Sequence, residues 1–337
     1  MIKVGLIGCG FMGGMHAACY QALAGQGVKL TAVADVREEY RNKMAEQYGA
    51  EQRYATGMEL IAQADVDVID ICLPTDLHVA HAVAAMKAGR NVFLEKPVCA
   101  KEEEMALLLE TKASTGAKMQ IGQVVRFMDE YVWLKQTAES GIYGKILSGS
   151  FRRCSSLPTW AWENWLHDPE RSGTVAVDMH VHDVDFVRYL MGEPDEVHSS
   201  ACRDENGVIE QIFAVYRYGK DVSVSLEAGW DFPAAFPFTA AFCVKFEKAT
   251  VVLDHGCLTV YTADGGSFQP ALQEAYAGEN DIGGNISSLG GYYNELKYFV
   301  EGLQGKNELA VATLEEAINS AKLTLREVAL CGGAVVK

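Results

Sequence analysis

Apolar positions follow one pattern up to about residue 123 and another beyond it. In the first stretch, short continuous apolar runs alternate with segments in which apolar residues return every three to four positions. Val4 to Ile7, Leu30 to Ala34, Val66 to Leu73, Asn91 to Leu94 and Met119 to Gln123 are the runs. Such runs suit strands covered on both faces, and the helical periods between them supply the cover. Gly49, Gly89 and Gly116 stand where these helices should stop, and Thr56-Gly57-Met58-Glu59 has the form of a capping box that starts one. About six strands alternating with helices predict an α/β unit, a doubly wound parallel sheet over residues 1–123.

Beyond residue 124 the order changes. A helix from Glu130 to Ser140 precedes a strand from Lys145 to Cys154, and a helix is predicted to begin near Asp178. Glu196 to Cys202, Gln211 to Tyr218, Val222 to Ala228, Phe238 to Phe246 and Thr250 to Leu253 have strand composition, separated by turn signals such as Tyr218-Gly219-Lys220. This predicts an α+β domain over 124–337 with a large, mainly antiparallel sheet. The Asp178 helix and those from Tyr292 to Gly302 and Leu314 to Leu330 are expected to cover one face. An uncovered face would be a natural oligomer interface.

Composition narrows the partners. A chain of 337 residues can fill two cores, and its formal charge of −16 opposes nucleic acid and anionic membrane, which need a basic surface. Nine cysteines without a C-x-x-C pair read as reduced thiols, with neither a disulfide framework nor a zinc site. Met1-Ile2-Lys3-Val4 enters the first strand at once, and no apolar run reaches membrane-spanning length, so a cytoplasmic protein is expected.

The first chemistry-bearing stretch is Gly8-Cys9-Gly10-Phe11-Met12-Gly13, between a strand and a helix. Gly8 allows the tight turn, Gly10 a close approach to pyrophosphate, and Gly13 close packing of helix on strand. The helix start at Phe11 and Met12 then offers N–H groups to the phosphates of a dinucleotide. Asp35 ends the next strand, where a carboxylate takes ribose hydroxyls and repels a 2′-phosphate. Arg37 could stack on adenine or bind that phosphate, so NAD is favoured over NADP without excluding it. Pro74-Thr75 marks a further edge of the cofactor site, and His78, ahead of His81 in the next helix, is a candidate contact. Glu95-Lys96-Pro97 follows a strand at the carboxyl edge where open α/β sheets bind ligands, and the proline presents Lys96 in an extended geometry. A lysine held there can stabilise an alkoxide.

In the second domain, Trp160, Trp162 and Trp165 crowd together; Trp162 and Trp165 are candidates to line a sugar pocket with their indole faces. On one helix, Asp178 and His182 would share a face, whereas His180 and His182 would point apart, so no metal pair is expected. A histidine oriented by a carboxylate is a good general base. Arg126, Arg152 and Arg153 are candidates for a charged substrate group. Gly283-Gly284 and Gly290-Gly291 flank a loop before Tyr293-Asn294-Glu295, a stretch expected to help close the pocket, with Tyr293 placed with the substrate.

Together, Gly8 to Gly13, Asp35, Glu95-Lys96-Pro97 and Asp178-x-x-x-His182 resemble the glucose-fructose oxidoreductase, inositol dehydrogenase and MocA family, over essentially the whole chain. The resemblance implies a Rossmann domain, a second domain whose open-faced sheet makes homodimer or homotetramer contacts, and a cis Lys96-Pro97 bond. It also implies that Lys96, Asp178 and His182 are the catalytic group. His182 would take the proton of a secondary hydroxyl, Lys96 would steady the oxyanion, and Asp178 would orient the pair while hydride leaves to nicotinamide. The motifs leave the substrate open among sugars, glycosides and cyclitols, an uncharged polyol fitting the acidic chain. Two rival readings stand beside this one. One is a nicotinamide-binding regulator without chemistry; the other is an enzyme that retains its cofactor for sugar-sugar exchange or redox-assisted elimination.

Overall fold

The computed structural model describes residues 1–159, 161–272 and 289–332. Trp160, Gly283 and Gly284 lie outside the described residues. The helices are α1 (Phe11–Ala22), α2 (Glu38–Tyr48), α3 (Gly57–Gln63), α4 (His78–Lys87), α5 (Glu102–Thr115) and α6 (Asp129–Ser140). They continue with α7 (Pro169–Ser172), α8 (Thr174–Asp178), α9 (Val181–Met191), α10 (Gly290–Leu303) and α11 (Leu314–Leu330).

The first of two compact units takes residues 1–127 and, among the described residues, 289–318. Its strands are β1 (Ile2–Ile7), β2 (Val28–Ala34), β3 (Gln52–Tyr54), β4 (Val68–Ile71), β5 (Asn91–Glu95) and β6 (Met119–Gly122). They pair in parallel in the order β3-β2-β1-β4-β5-β6. The order reverses at β1, so a crevice opens at the carboxyl ends of β1 and β4, where a doubly wound sheet accepts a ligand. The strand interiors are buried because helices lie on both faces, and the Thr56–Glu59 capping box and the left-handed C-caps at Gly49 and Gly116 set helix limits as the residues predict.

A single boundary at 123/124 does not describe this unit. The helix expected to cover the second domain's sheet, α10, packs instead on α1: Leu296, Phe299 and Val300 share a core with Met15, Cys19, Tyr20 and Leu23. Lys118 Nζ donates to the Gly302 carbonyl at 2.7 Å, and Asn294 Nδ2 donates to the Phe127 carbonyl at 3.0 Å. The apolar stripe of α1 needs a partner, and a late segment of the chain provides it.

The second unit takes residues 128–272 and 319–332 of those described. Its strands are β7 (Ile146–Ser156), β8 (Glu196–Arg203), β9 (Ile209–Tyr218), β10 (Val222–Phe232), β11 (Thr239–Phe246), β12 (Ala249–Asp254), β13 (Cys257–Thr262) and β14 (Ser267–Phe268). The sheet runs β14-β13-β12-β11-β7-β10-β9-β8, with β7 and β10 parallel and the other pairs antiparallel. On β7, Phe151 and Arg153 turn inward and Arg152 outward, as strand alternation requires. Tyr131 of α6 and Phe186 of α9 meet Phe151 and Phe242 on the inner face. Arg153, buried, forks onto Asp183 at 3.0 and 3.1 Å and reaches the Tyr131 hydroxyl. Among the described residues no helix is long and apolar enough to cross a membrane.

Candidate active site

The glycine turn is built by close backbone approach. Gly8 has φ +96°, and a Cβ there would stand 2.3 Å from the Cys72 carbonyl oxygen. A Cβ on Gly13 would stand 1.9 Å from the Gly8 carbonyl oxygen, so any side chain would lift α1 off β1. Gly10 is the N-cap of α1 and supplies no side-chain cap, nor is there an acidic residue in the first turn. Phe11, Met12 and Gly13 therefore open a helix whose terminal N–H groups and dipole favour an anion.

Asp35 follows β2 and is buried beside this turn. Its Oδ2 accepts from the Cys9 N–H at 2.8 Å, and its Oδ1 accepts from the Arg37 N–H at 2.8 Å. The Arg37 guanidinium forks onto both oxygens at 2.8 and 2.9 Å and lies 3.9 Å from the Tyr40 ring centroid. Burial pushes the Asp35 pKa up, but the Arg37 and backbone hydrogen bonds outweigh it and hold the carboxyl below its usual range. With four donors on one carboxylate, a ribose diol that binds Asp35 displaces the guanidinium, the movable one of those partners.

At the end of β4, Pro74 leads a single helical turn, Thr75–Leu77, and Thr75 buries a hydroxyl with no hydrogen-bond partner among the described residues. An orphaned hydroxyl on the rim of the crevice fits a bound polar ligand. His78 sits between two turns at the carboxyl edge of the sheet. Its ring nitrogens lie 2.8 Å from the Pro97 and Leu73 carbonyl oxygens, bracketing the turns after β4 and β5, and burial pushes its pKa down. His81 Nδ1 lies 2.8 Å from the Leu77 carbonyl oxygen, at the N-cap of its helix.

Glu95 ends β5, buried, and the Lys96-Pro97 bond is cis. Glu95 Oε2 accepts from the Lys96 N–H at 3.1 Å, while Oε1 lies 3.0 Å from His16 Nε2. His16 and Asp70, which cluster with Glu95, were not singled out from the sequence, and Glu295 was named only as the end of the pocket-closing stretch from Tyr293. Their signal was a polar residue inside an otherwise buried pattern: His16 three positions beyond Gly13, Asp70 in mid-strand, and Glu295 among the apolar residues of α10.

In the second unit Asp178 closes α8 and His182 lies in the first turn of α9. The expected single helix is broken at Met179 and His180. His180 goes inward, its Nε2 2.6 Å from Glu327 Oε2, and Glu327 also accepts from the Tyr216 hydroxyl. Trp162 and Trp165 are half-buried in the turn Trp162–His167; Trp165 packs on the core around Trp230, and the Arg171 guanidinium lies 5.9 Å from the Trp162 ring.

Three substrate candidates have partners within their own units. Arg126 is buried in the first unit, 3.5 Å from Glu316, and Arg152 pairs with Glu227 of the adjacent strand at 3.2 Å on the open face of the sheet. Tyr293 belongs to the α1–α10 core, and its hydroxyl accepts from Gln26 beyond the far end of α1 from the glycine turn. Each satisfies burial or charge pairing within its own unit. Sequence spacing does not reveal that.

The chain matches the family model described as an oxidoreductase family with an NAD-binding Rossmann fold over residues 2–123, and the GFO/IDH/MocA C-terminal domain over residues 131–258. A myo-inositol 2-dehydrogenase of Thermotoga maritima is 31% identical over 266 residues, 78% of this chain and 71% of that one. An inositol 2-dehydrogenase of Rhizobium meliloti is 31% identical over 205 residues, 60% of this chain, and the match spans 58% of that relative's length. Among solved structures, a levoglucosan dehydrogenase in complex with NADH and levoglucosan superimposes with a TM-score of 0.81 at 20% identity, covering 98% of this chain and 97% of the other.

Proposed function

Because the chain belongs to the glucose-fructose oxidoreductase, inositol dehydrogenase and MocA family of NAD-binding oxidoreductases, we propose that it oxidises a secondary hydroxyl of a cyclitol or sugar. Inositols come first among the candidates, and Lys96, Asp178 and His182 are the catalytic group. The names of the Thermotoga and Rhizobium relatives support the substrate class. The observation that carries the reading is the placement, on one carboxyl edge of the first unit's sheet, of a glycine turn in which Gly8 and Gly13 leave no room for a side chain and of the Glu95-Lys96-Pro97 turn.

NAD supplies the two-electron hydride acceptor. Gly8, Gly10 and Gly13 would hold its pyrophosphate, with Phe11 and Met12 in the first turn of α1, and Asp35 would take the adenosine ribose. Thr75 and Pro74 border the same crevice. His182 accepts the hydroxyl proton, Lys96 places its ammonium on the developing oxyanion, and Asp178 keeps the imidazole oriented and supports its charge. The C–H bonding pair leaves as hydride and the oxygen lone pair closes the carbonyl, so one alcohol gives one ketone, one NADH and one proton.

Two measurements test this. Inositols, aldoses and glycosides offered with NAD and NADP side by side should give NADH absorbance with at least one polyol, NAD being preferred. In His182→Ala, NAD affinity by calorimetry should stay nearly intact while kcat falls about a hundredfold or more. Unchanged turnover removes His182 from the mechanism.

A further inference from the structure

Beneath the Glu95-Lys96-Pro97 turn lies a cluster of charge that no step of the proposed reaction uses. His16 on the inner face of α1, Asp70 of β4, Glu95 of β5 and Glu295 of α10 are each 5% exposed or less. His16 Nδ1 lies 2.9 Å from Asp70 Oδ2, and its Nε2 lies 3.0 Å from Glu95 Oε1. An imidazole with an ionised carboxylate on each nitrogen is satisfied only when both nitrogens donate, which requires the imidazolium. The second Glu95 oxygen accepts from the Lys96 N–H. Glu295 adds a third carboxyl, both of its oxygens buried and without a hydrogen-bond partner among the described residues. One ligand atom each of His16, Glu95 and Glu295 lie within 4.8 Å of one another.

Three carboxylates around one imidazolium leave surplus negative charge where water cannot reach, and such a cluster sheds it by binding a proton. We infer that the His16 imidazolium and a protonated Glu295 together fix the Glu95 carboxylate, and through it the backbone of Lys96. His16, Glu95 and Glu295 are then positioning residues for the Lys96 ammonium. The inference deepens the proposed reaction and rests on the role of Lys96 there.

The surroundings agree. Burial, then the charge of Glu95, push the Glu295 pKa well up, against His16. Burial lowers the His16 pKa, but Asp70 and Cys72 outweigh it and hold it well above the usual value. Among the described residues, the other titratable groups facing this pocket include Cys72, whose Sγ lies 3.3 Å from His16 Nδ1, Cys19 and Tyr20 on α1, and Tyr292 of α10, whose ring centroid lies 6.4 Å from that of His16; burial raises the pKa of Cys72, Cys19 and Tyr20. A metal ion is the competing way to balance the charge, since a carboxylate behind a histidine is also how metal ligands are oriented. The hydrogen-bond spacing of His16 Nε2 and Glu95 favours the proton.

Two arms test the inference on the full chain. In protein labelled with nitrogen-15 histidine, the His16 signals, assigned by their loss in His16→Gln, should show both ring nitrogens still protonated in the range above about pH 6.5, where a free imidazole is mostly neutral. A neutral tautomer in that range overturns the inference whatever turnover does. In the kinetic arm, His16→Gln and Glu295→Ala should each lower kcat about tenfold or more and shift its pH profile, with NAD affinity within about twofold of the parent. Glu295→Gln, a neutral isostere, should recover most of what Glu295→Ala loses. Glutamine no better than alanine, or a stoichiometric metal in the purified protein, overturns the protonated carboxyl. Undiminished turnover in Lys96→Ala, with the His16 imidazolium intact, would instead remove the catalytic role of Lys96.

Discussion

A carboxylate in water meets donors on every side; the Glu295 carboxyl meets none among the described residues and faces Glu95. Burial raises its folded pKa far above the unfolded value, so the folded state binds this proton more tightly. The resulting stability is complete below the ordinary carboxylate range and is lost as pH climbs from there through the raised value. Glu295→Gln removes the titration. Its stability relative to the parent should therefore improve as pH rises from the ordinary carboxylate range, about pH 4 to 5, toward the raised value, by up to about 1.4 kcal/mol per pH unit. Urea unfolding across that range checks it, and a difference independent of pH would mean that Glu295 is ionised in the fold. Asp35 works in the opposite sense. Its folded pKa is lowered, so its stabilisation is present above the ordinary range and disappears on acidification. Asp35 was legible because it stands at a fixed offset from a glycine turn. Glu295 was not, because helical periodicity marks which positions are buried without saying that a buried one is polar.

At the scale of elements, the break between α8 and α9 shows how a local rule is overridden. Nothing between Asp178 and His182 is a glycine or proline, so four-residue spacing predicts one continuous face. His180 is instead drawn into a buried contact with Glu327, 147 positions later in the chain, and the helix gives way there. Glu327 also takes the Tyr216 hydroxyl from β9, so one side chain joins α11, the break and the sheet. Glu327→Ala would leave a buried imidazole and a buried hydroxyl without their acceptor and should cost about 3 kcal/mol. A loss under about 1 kcal/mol in denaturant unfolding would show that the break holds without it. Elements defined by their own residues were legible: five of the six strands of the first unit (the three-residue β3 was not), the capping box at Thr56 and the glycine stops. The short β13 and β14 were not, nor was the parallel pairing of β7 with β10, because pairing partners lie outside any local window.

For the whole molecule, the same limit hid the late segment that joins the first unit. A helix with one apolar face announces that it will be covered, not by what, and α10 fits the second sheet and α1 equally well on pattern alone. In the fold it closes the first unit, where Leu296 and Phe299 are buried with Met15 and Tyr20. A fragment ending at residue 123 would therefore expose an apolar face of α1 and the side of the sheet beneath it, together with the buried pair of His16 and Asp70. Lost apolar burial costs about 25 cal/mol per Å², and a small unit has little stability to give up. Residues 1–123 expressed alone should melt without cooperativity and fail to bind NAD. Residues 1–127 joined through a flexible linker to 289–318 should melt cooperatively and recover NAD binding by calorimetry. A cooperative, NAD-binding 1–123 fragment would show that α10 is an accessory to this unit rather than part of its core.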